Sequence, residues 1–208
     1  MPFPELFRDD VFRIETRRLW LRWPRAADAR ALQQIAGLAE VAEMTATWPH
    51  PLPDNEADWR ILRARESNAD GSSLILAITR KKAPDQLIGN IGVSEIAEGQ
   101  LGLGYMLDPA WHSRGIMTEA VAGLTAAVFT GSRHGLIRAS CQVVNKASRQ
   151  VLENAGFAYV GQSMLDAPAR GSPIEVDDFE LDRAAWFRAA AVARNASHTP
   201  GFDPARAA

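Results

Sequence analysis

The sequence predicts an α+β domain built on a mixed, mostly antiparallel sheet, and two observations carry that expectation. The apolar runs Leu87–Ile96 and Leu101–Leu107 are joined by Glu98-Gly99, the pattern of an antiparallel hairpin. A helical stretch through Ala120, Val121, Leu124, Ala127 and Val128 then separates the second run from another, Leu136–Val144. A helical crossover suits parallel pairing of the strands it connects. The predicted order is one strand, two helices, three antiparallel strands, helix, strand, helix and two strands.

Each element has a local reason. From Thr16 to Trp23, Leu19, Leu21 and Trp23 fall on one side and Arg18 and Arg22 on the other, which reads as a half-buried strand ended by Pro24. Asp28 is placed to cap a helix whose apolar positions are Ala31, Leu32, Ile35, Leu38, Val41 and Ala42. Trp48 to Pro53 holds three prolines in six residues and reads as a rigid extended loop. Asp54 is expected to cap the next helix, through Trp59, Ile61 and Leu62, which ends before Gly71. Ser73–Thr79 reads as a buried strand, and Lys81 to Asp85 as a turn. Asn145–Asn154 reads as a short helix closed by Gly156. Phe157–Met164 and Ile174–Leu181 are the last strands, followed by a helix over Arg183–Arg194.

The chain of 208 residues, 47% hydrophobic and 23% charged, has the composition of a globular protein and not of a disordered one. It is expected to hold a single domain over 1–194 and a flexible tail over 195–208. No apolar stretch approaches the ~18 residues that cross a bilayer. The opening Met1-Pro2-Phe3-Pro4-Glu5 has no basic start followed by an apolar run. Cys141 is the single cysteine, so no intrachain disulfide and no cysteine-only metal site can form. These features lead us to expect a cytoplasmic protein without a membrane or a metal. A net charge of −2, from 23 basic and 25 acidic residues, gives no sign of a nucleic-acid partner. Arg13, Arg17, Arg18, Arg22, Arg25 and Arg30 form a local basic run, which reads first as solvated surface.

The chemically informative segment runs from Leu101 to Ala120, where a strand passes through a tight turn directly into a helix. The first N–H groups of such a helix lack intrahelical partners and sit at its positive end. Gly115 removes the Cβ that would keep an anion away, and Arg114 can add a charge. That describes a phosphate or pyrophosphate site; the competing reading is a turn glycine with nothing bound. The spacing matches neither a Walker loop nor the dinucleotide fingerprint. A second cluster spans Asn145 to Phe157. Asn145 reads as an N-cap, and Ser148 on the first turn is either a donor to a developing anion or a solvent-facing serine.

Five segments together resemble the GNAT superfamily of acetyl-CoA-dependent N-acetyltransferases, in its RimJ/RimL-like branch. They are Glu15–Arg22, Leu87–Gly92, Gly104–Pro109 with Trp111, Arg114–Ala120, and Asn145–Arg149 through Gly156-Phe157. They occur in the family's order. The resemblance implies a sheet with two splayed central strands and acetyl-CoA held between them. Tyr105, Met106 and Leu107 would line the pantetheine. His112, Ser113, Arg114, Gly115, Ile116, Met117 and Thr118 would surround the pyrophosphate, chiefly through backbone amides. Asn145 matches a CoA-contacting asparagine, and Ser148 a serine that protonates the departing thiolate. The acceptor would be a small-molecule or peptide amine, met by the loop carrying Trp48 and His50. A homodimer is common among such proteins. The chain departs from the branch at Gly102, where an acid is usual, at His112, where glutamine is common, and at Met117. Glu95 is the substitute we expect for the missing base, with His112 as the alternative; the competing reading of Glu95 is a polar residue on an exposed sheet face. The alternative is a non-catalytic acyl-CoA-binding or regulatory protein that kept the cleft and lost the base.

Overall fold

The computed structural model describes residues 3–189. The chain first makes a hairpin of β1 (Arg13–Glu15) and β2 (Leu19–Arg22). Three helices follow: α1 (Ala29–Ala36), α2 (Ala39–Ala42) and α3 (Glu56–Asp70). Then come β3 (Ser73–Arg80), β4 (Ala83–Ala97) and β5 (Gln100–Leu107), an antiparallel meander. Helix α4 (Ile116–Gly131) crosses over to β6 (Leu136–Gln142), which pairs with β5 in parallel. Helix α5 (Lys146–Asn154) leads to the hairpin β7 (Ala158–Leu165) and β8 (Ile174–Asp182). All of these strands lie in one sheet of order β1-β2-β3-β4-β5-β6-β8-β7.

Alternation along the strands divides the core between the two faces of the sheet. Helix α4 packs Leu124, Val128 and Phe129 against Leu19, Leu21, Leu76, Ile78 and Ile91 on one face. Helices α1 and α3 cover part of the other, where Leu32, Ile35, Trp48 and Ile61 meet Ala77, Leu87 and Met106. Each fully buried side chain of this kind stabilises the fold by about 1.5–3 kcal/mol relative to leaving it exposed. Gly89 sets how closely β4 and β5 approach, because a Cβ there would come within 2.4 Å of the Met106 carbonyl oxygen.

The α+β class, the mixed sheet, the parallel pair and the helical crossover agree with the expectation from sequence, and several local expectations do not. An extra strand, β1, precedes the one predicted; only Ile14 of its three residues has partial burial, too few for a period to show. The first predicted helix breaks at Gly37-Leu38 into α1 and α2, and Leu38 is 40% exposed because it caps α2 instead of facing the core. Asn55, in the left-handed region at φ 62°, stands at the N-cap of α3, not Asp54. Residues 183–189 are helical, whereas 190–194 of the predicted last helix and the whole 195–208 tail lie outside the described residues.

The largest correction concerns Arg22, which is 7% exposed and not on a solvated face. Its Nη1 and Nη2 donate to Asp28 Oδ2 and Oδ1, both at 2.8 Å. The same carboxylate accepts from the Arg25 backbone N–H at 2.7 Å. Asp28 therefore does not cap α1 with its side chain. It neutralises a buried cation between the sheet and the helix start. Removing one member of a buried pair leaves the other charge without compensation, at a cost of about 3–5 kcal/mol. Asp28→Ala is expected to lose that much stability, read as a lower urea midpoint at unchanged slope; a loss under about 1 kcal/mol would show the pair to be dispensable.

Candidate functional site

The site is built on a divergence. β5 and β6 are paired only from Gln100↔Leu136 to Leu103↔Ala139. Beyond that, β5 from Gly104 onward pairs with β4 alone and β6 from Ser140 onward with β8 alone. The two predicted central strands do splay apart, leaving one edge of β5 unpaired. The Asp108 N–H donates to the Ile88 carbonyl across β4 at 2.9 Å. Backbone groups alternate sides along a strand. Tyr105 and Leu107 therefore turn their amides toward the opening, whereas Met106 turns its backbone toward β4 and its side chain into the α1/α3 core. Of the three residues predicted to hold a pantetheine, two present backbone groups to the gap and Met106 does not.

At the end of β5 the chain turns through Asp108, which accepts from the Ala110 N–H at 2.9 Å. His112 Nε2 lies 3.1 Å from the Leu107 carbonyl oxygen and ties the turn to the strand. Ser113 and Gly115 both take left-handed conformations, at φ 57° and 67°. Gly115 is the N-cap of α4 and no side chain caps that end. The Ile116, Met117 and Thr118 amides are thus left without a side-chain cap. The Ile116 and Met117 side chains are buried in the core, so only their backbones can face a ligand. A Cβ at Gly115 would meet only Arg18 Nη2, at 3.7 Å. This concavity of donors at a positive helix end fits a diphosphate. The Arg114 guanidinium lies 5.0 Å from the Trp111 ring centroid, and Arg80 lies 4.4 Å from the same ring.

Across the opening, Asn145 caps α5 by accepting from the Ser148 N–H at 3.0 Å. The cap fixes the first turn, and Ser148 Oγ lies 2.8 Å from the Tyr105 hydroxyl. The pair bridges α5 to β5 on the α4 side of the sheet. Burial pushes the Tyr105 phenol well above its ordinary range, against the Ser148 hydrogen bond that lowers it. Cys141 sits on the same side, 6% exposed. Burial first, then the negative charge of Asp177, push its thiol up, against a hydrogen bond from Ser148. Both groups stay protonated at neutral pH, so this corner offers hydroxyl donors and no thiolate.

The opposite face of the divergence is open and polar. Ser140, the first β6 residue past the last rung, donates its Oγ hydrogen to Asp178 Oδ1 at 2.6 Å. Gln142 Nε2 reaches the Glu43 carbonyl at 2.5 Å, the Ala169 N–H donates to the Ala46 carbonyl, and Arg170 donates to the Trp48 carbonyl. The loop after α2 is thereby laid across β6 and the β7–β8 connection, roofing this side. Trp48, predicted to contact an acceptor, is 6% exposed and packs in the core, with Arg60 stacked 4.2 Å from its ring centroid. His50 is exposed on the same loop.

Glu95, the predicted base, is not brought to this place. It pairs with Leu101, whereas Met106 pairs with Asn90. Five residues of strand put Glu95 about 17 Å along the sheet from that rung. Hydrogen bonding holds its carboxyl below its ordinary range. Sequence reasoning missed Arg18, Tyr105 as a hydroxyl partner of Ser148, and Asp178. Only the Glu180 and Asp178 register across from Arg138 and Ser140 reveals the last, and that is a property of the sheet. Among the described residues no group of three or more His, Cys, Asp or Glu is placed to hold a metal.

This fold and this opening define an acyl-CoA-type transferase scaffold, and the chain belongs to the acetyltransferase (GNAT) domain family, whose model matches residues 18–158. Over 90 residues it is 40% identical to a Bacillus subtilis (strain 168) protein named Probable N-acetyltransferase YjcK, a match covering 42% of this chain and spanning about half the length of that relative. Among solved structures it resembles the GNAT-family acetyltransferase from Bacillus anthracis, with a TM-score of 0.72 at 16% identity over 83% of this chain and 99% of that one. It also resembles Mycobacterium smegmatis RimJ, solved in complex with CoA-disulfide, with a TM-score of 0.72 at 20% identity over 88% of this chain and 95% of that one.

The protonated state of Cys141 has a direct consequence. In the native protein its alkylation by iodoacetamide at pH 8 is expected to be at least ~10-fold slower than for an unfolded-chain thiol, rising to that rate in denaturant. Equal rates in the two states would show an accessible thiolate.

Proposed function

We propose that this protein transfers an acetyl group directly from acetyl-CoA to a primary amine, on a small molecule or a peptide N-terminus. The uncapped start of α4 beside the unpaired edge of β5 is the observation that carries this reading. Amides from Gly115 to Thr118 would take the diphosphate. The inward-facing backbone of Tyr105 and Leu107 would pair with the pantetheine arm, the latter through its N–H because its carbonyl already meets His112. The thioester then lies where β5 and β6 part, with Ser148 on one face and the polar floor at Ser140 and Asp178 on the other.

In this reading the amine attacks the thioester carbonyl from the open face. An ammonium has no lone pair, so a proton must leave first; in this reading the Asp178 carboxylate, which accepts from Ser140, receives it in place of Glu95, which lies further along the sheet. Attack forms the C–N bond as the carbonyl opens, and the attacking nitrogen gives up its remaining extra proton to solvent. The C–S bond then breaks as the carbonyl re-forms, Ser148 Oγ gives its proton to the departing sulfur, and the Tyr105 hydroxyl hydrogen-bonded to it relays a proton back to Ser148. No acyl-enzyme is needed. His50, exposed on the roofing loop, stands at the acceptor's entrance, and the buried Trp48 shapes the roof without itself being reached. The amine's identity, a homodimer and a cytoplasmic setting are part of the same proposal; among the described residues no helix is long and apolar enough to cross a membrane.

The reading is tested by incubating the protein with acetyl-CoA and a mixed library of amines and peptides, following free thiol release and product mass. Acetylated amine supports it, and coenzyme binding without any product would favour the non-catalytic alternative. Gly115→Glu is expected to reduce CoA binding by calorimetry to an undetectable level, because it sets bulk and negative charge against a phosphate. Unchanged affinity would remove the diphosphate from this place. Ser148→Ala and Asp178→Asn are each expected to lower kcat by about 10²–10⁴-fold, with CoA affinity held within roughly threefold. Equal losses in kcat and affinity would refute a role in proton transfer.

A further inference from the structure

We infer that Arg18, a residue of the β1–β2 corner, is a ligand for the coenzyme's diphosphate, and that Glu119 is the residue that positions it. The inference rests on the reading of the α4 start as the diphosphate site and adds a side-chain cation to the backbone amides already placed there.

Glu119 stands on the first turn of α4 and reaches back to the corner between β1 and β2. Its Oε1 accepts from Thr16 Oγ1 and from the Arg18 backbone N–H, both at 2.7 Å. Its Oε2 accepts from Arg18 Nε at 2.6 Å. Burial pushes this carboxyl up, but the hydrogen bonds from Thr16 and Arg18 outweigh it and leave it lowered, so it is an anion at neutral pH. The guanidinium is gripped a second time where Arg18 Nη1 donates to the Arg114 carbonyl at 3.0 Å. Two of its three nitrogens are thereby committed, and the planar fork has one orientation left.

The third nitrogen, Nη2, has no hydrogen-bond partner among the described residues and lies 3.7 Å from where a Cβ on Gly115 would sit. It points over the one glycine whose bare backbone opens the loop to an anion. The surrounding depression is lined by Arg17, Arg18, Arg114, Gly115 and Thr118, with Glu119 as its only carboxylate. That carboxylate is turned away, into its bonds with Thr16 and Arg18. A guanidinium held this way gives charge-assisted hydrogen bonds to a phosphate oxygen with little ordering cost left to meet. The same clamp joins the loop's two left-handed residues to the sheet, through Arg114 lying between them.

Calorimetry on the full chain with CoA, dephospho-CoA and 4′-phosphopantetheine tests this. Arg18→Ala is expected to weaken CoA and dephospho-CoA alike by roughly 10–100-fold, the worth of a charge-assisted contact. 4′-Phosphopantetheine, which lacks the diphosphate, changes far less. Arg18→Lys keeps the charge without the fork and is expected to recover part of the loss. Glu119→Gln is expected to weaken CoA binding in the wild-type background and to have little further effect in Arg18→Ala, because it acts through Arg18. Thermal midpoints of each variant separate misfolding from lost contact; if Arg18→Ala does not fold, Arg18→Lys and Glu119→Gln carry the test. A loss for CoA but not dephospho-CoA would move Arg18 to the 3′-phosphate and overturn the assignment. Full additivity of the two variants would overturn the positioning role of Glu119. Wild-type protein that binds no CoA would sink the underlying site as well, whereas tight wild-type binding with unaffected variants would sink this inference alone.

Discussion

The parting of β5 and β6 after four rungs is the constraint on which the rest of the molecule turns. Two parallel neighbours need a crossover, and here the crossover is α4, which begins at Ile116 after the turn through Asp108 and Gly115 that follows β5. That turn is tied back to the strand by His112, so the helix start, with no side-chain cap, stays near the last residues of β5. Had β5 and β6 stayed paired to their ends, the Tyr105 and Leu107 amides would have been consumed in the ladder and the helix start would overlook a closed sheet. The divergence thus places an uncapped helix start and an unpaired strand edge side by side, from a single departure in pairing.

Such a gap removes ladder hydrogen bonds and must be held by other means. The polar ties found here do that by spanning elements far apart in sequence. Tyr105 and Ser148 link β5 to α5 across the gap on one face. Gln142 and Arg170 carry β6 and the β7–β8 connection to the roofing loop on the other. Glu119 joins α4 to the β1–β2 corner, and Asp28 joins β2 to the start of α1. Apolar packing does not fix distances at this level, whereas a bidentate or two-pronged hydrogen bond does. The arginines that read as a basic surface run are, at positions 18 and 22, the connectors of the scaffold.

Elements with a strong period were legible in the sequence. The β4–β5 hairpin, α4 and α5 with its Gly156 end all sit within a few residues of expectation, because each carries its own signal in apolar spacing and turn residues. The uncapped helix start was legible too, since Gly115 at a strand-to-helix junction has a meaning that does not depend on distant residues. What could not be read is whatever depends on which rung faces which. Glu95 is a carboxylate on β4, and only register shows that it pairs with Leu101, five residues along from the Asn90↔Met106 rung. Asp178 is one of two adjacent aspartates, and only alternation against β6 separates it from Asp177, which bonds Arg149 and Gln162 on the other face. The departure at Gly102, read as a missing acid, falls at a rung where β5 is still paired to β6 and therefore outside the opening.

The state of Cys141 bears on the order of chemical steps. A cysteine on β6 in the gap, within reach of Ser148, has the look of an acyl-carrying nucleophile, and a two-step transfer through it would need a thiolate. Its surroundings favour the thiol: it is buried and lies beside the Asp177 carboxylate, and the opposing pull of the Ser148 hydrogen bond, Arg149 and Lys146 does not outweigh them. The hydroxyls of Tyr105 and Ser148 around it are donors, suited to giving a proton to a leaving sulfur and unsuited to taking one from Cys141. A corner furnished with donors favours the departure of a thiolate over the creation of one. Direct attack by the amine, the route proposed above, is the sequence of events this electrostatic arrangement supports.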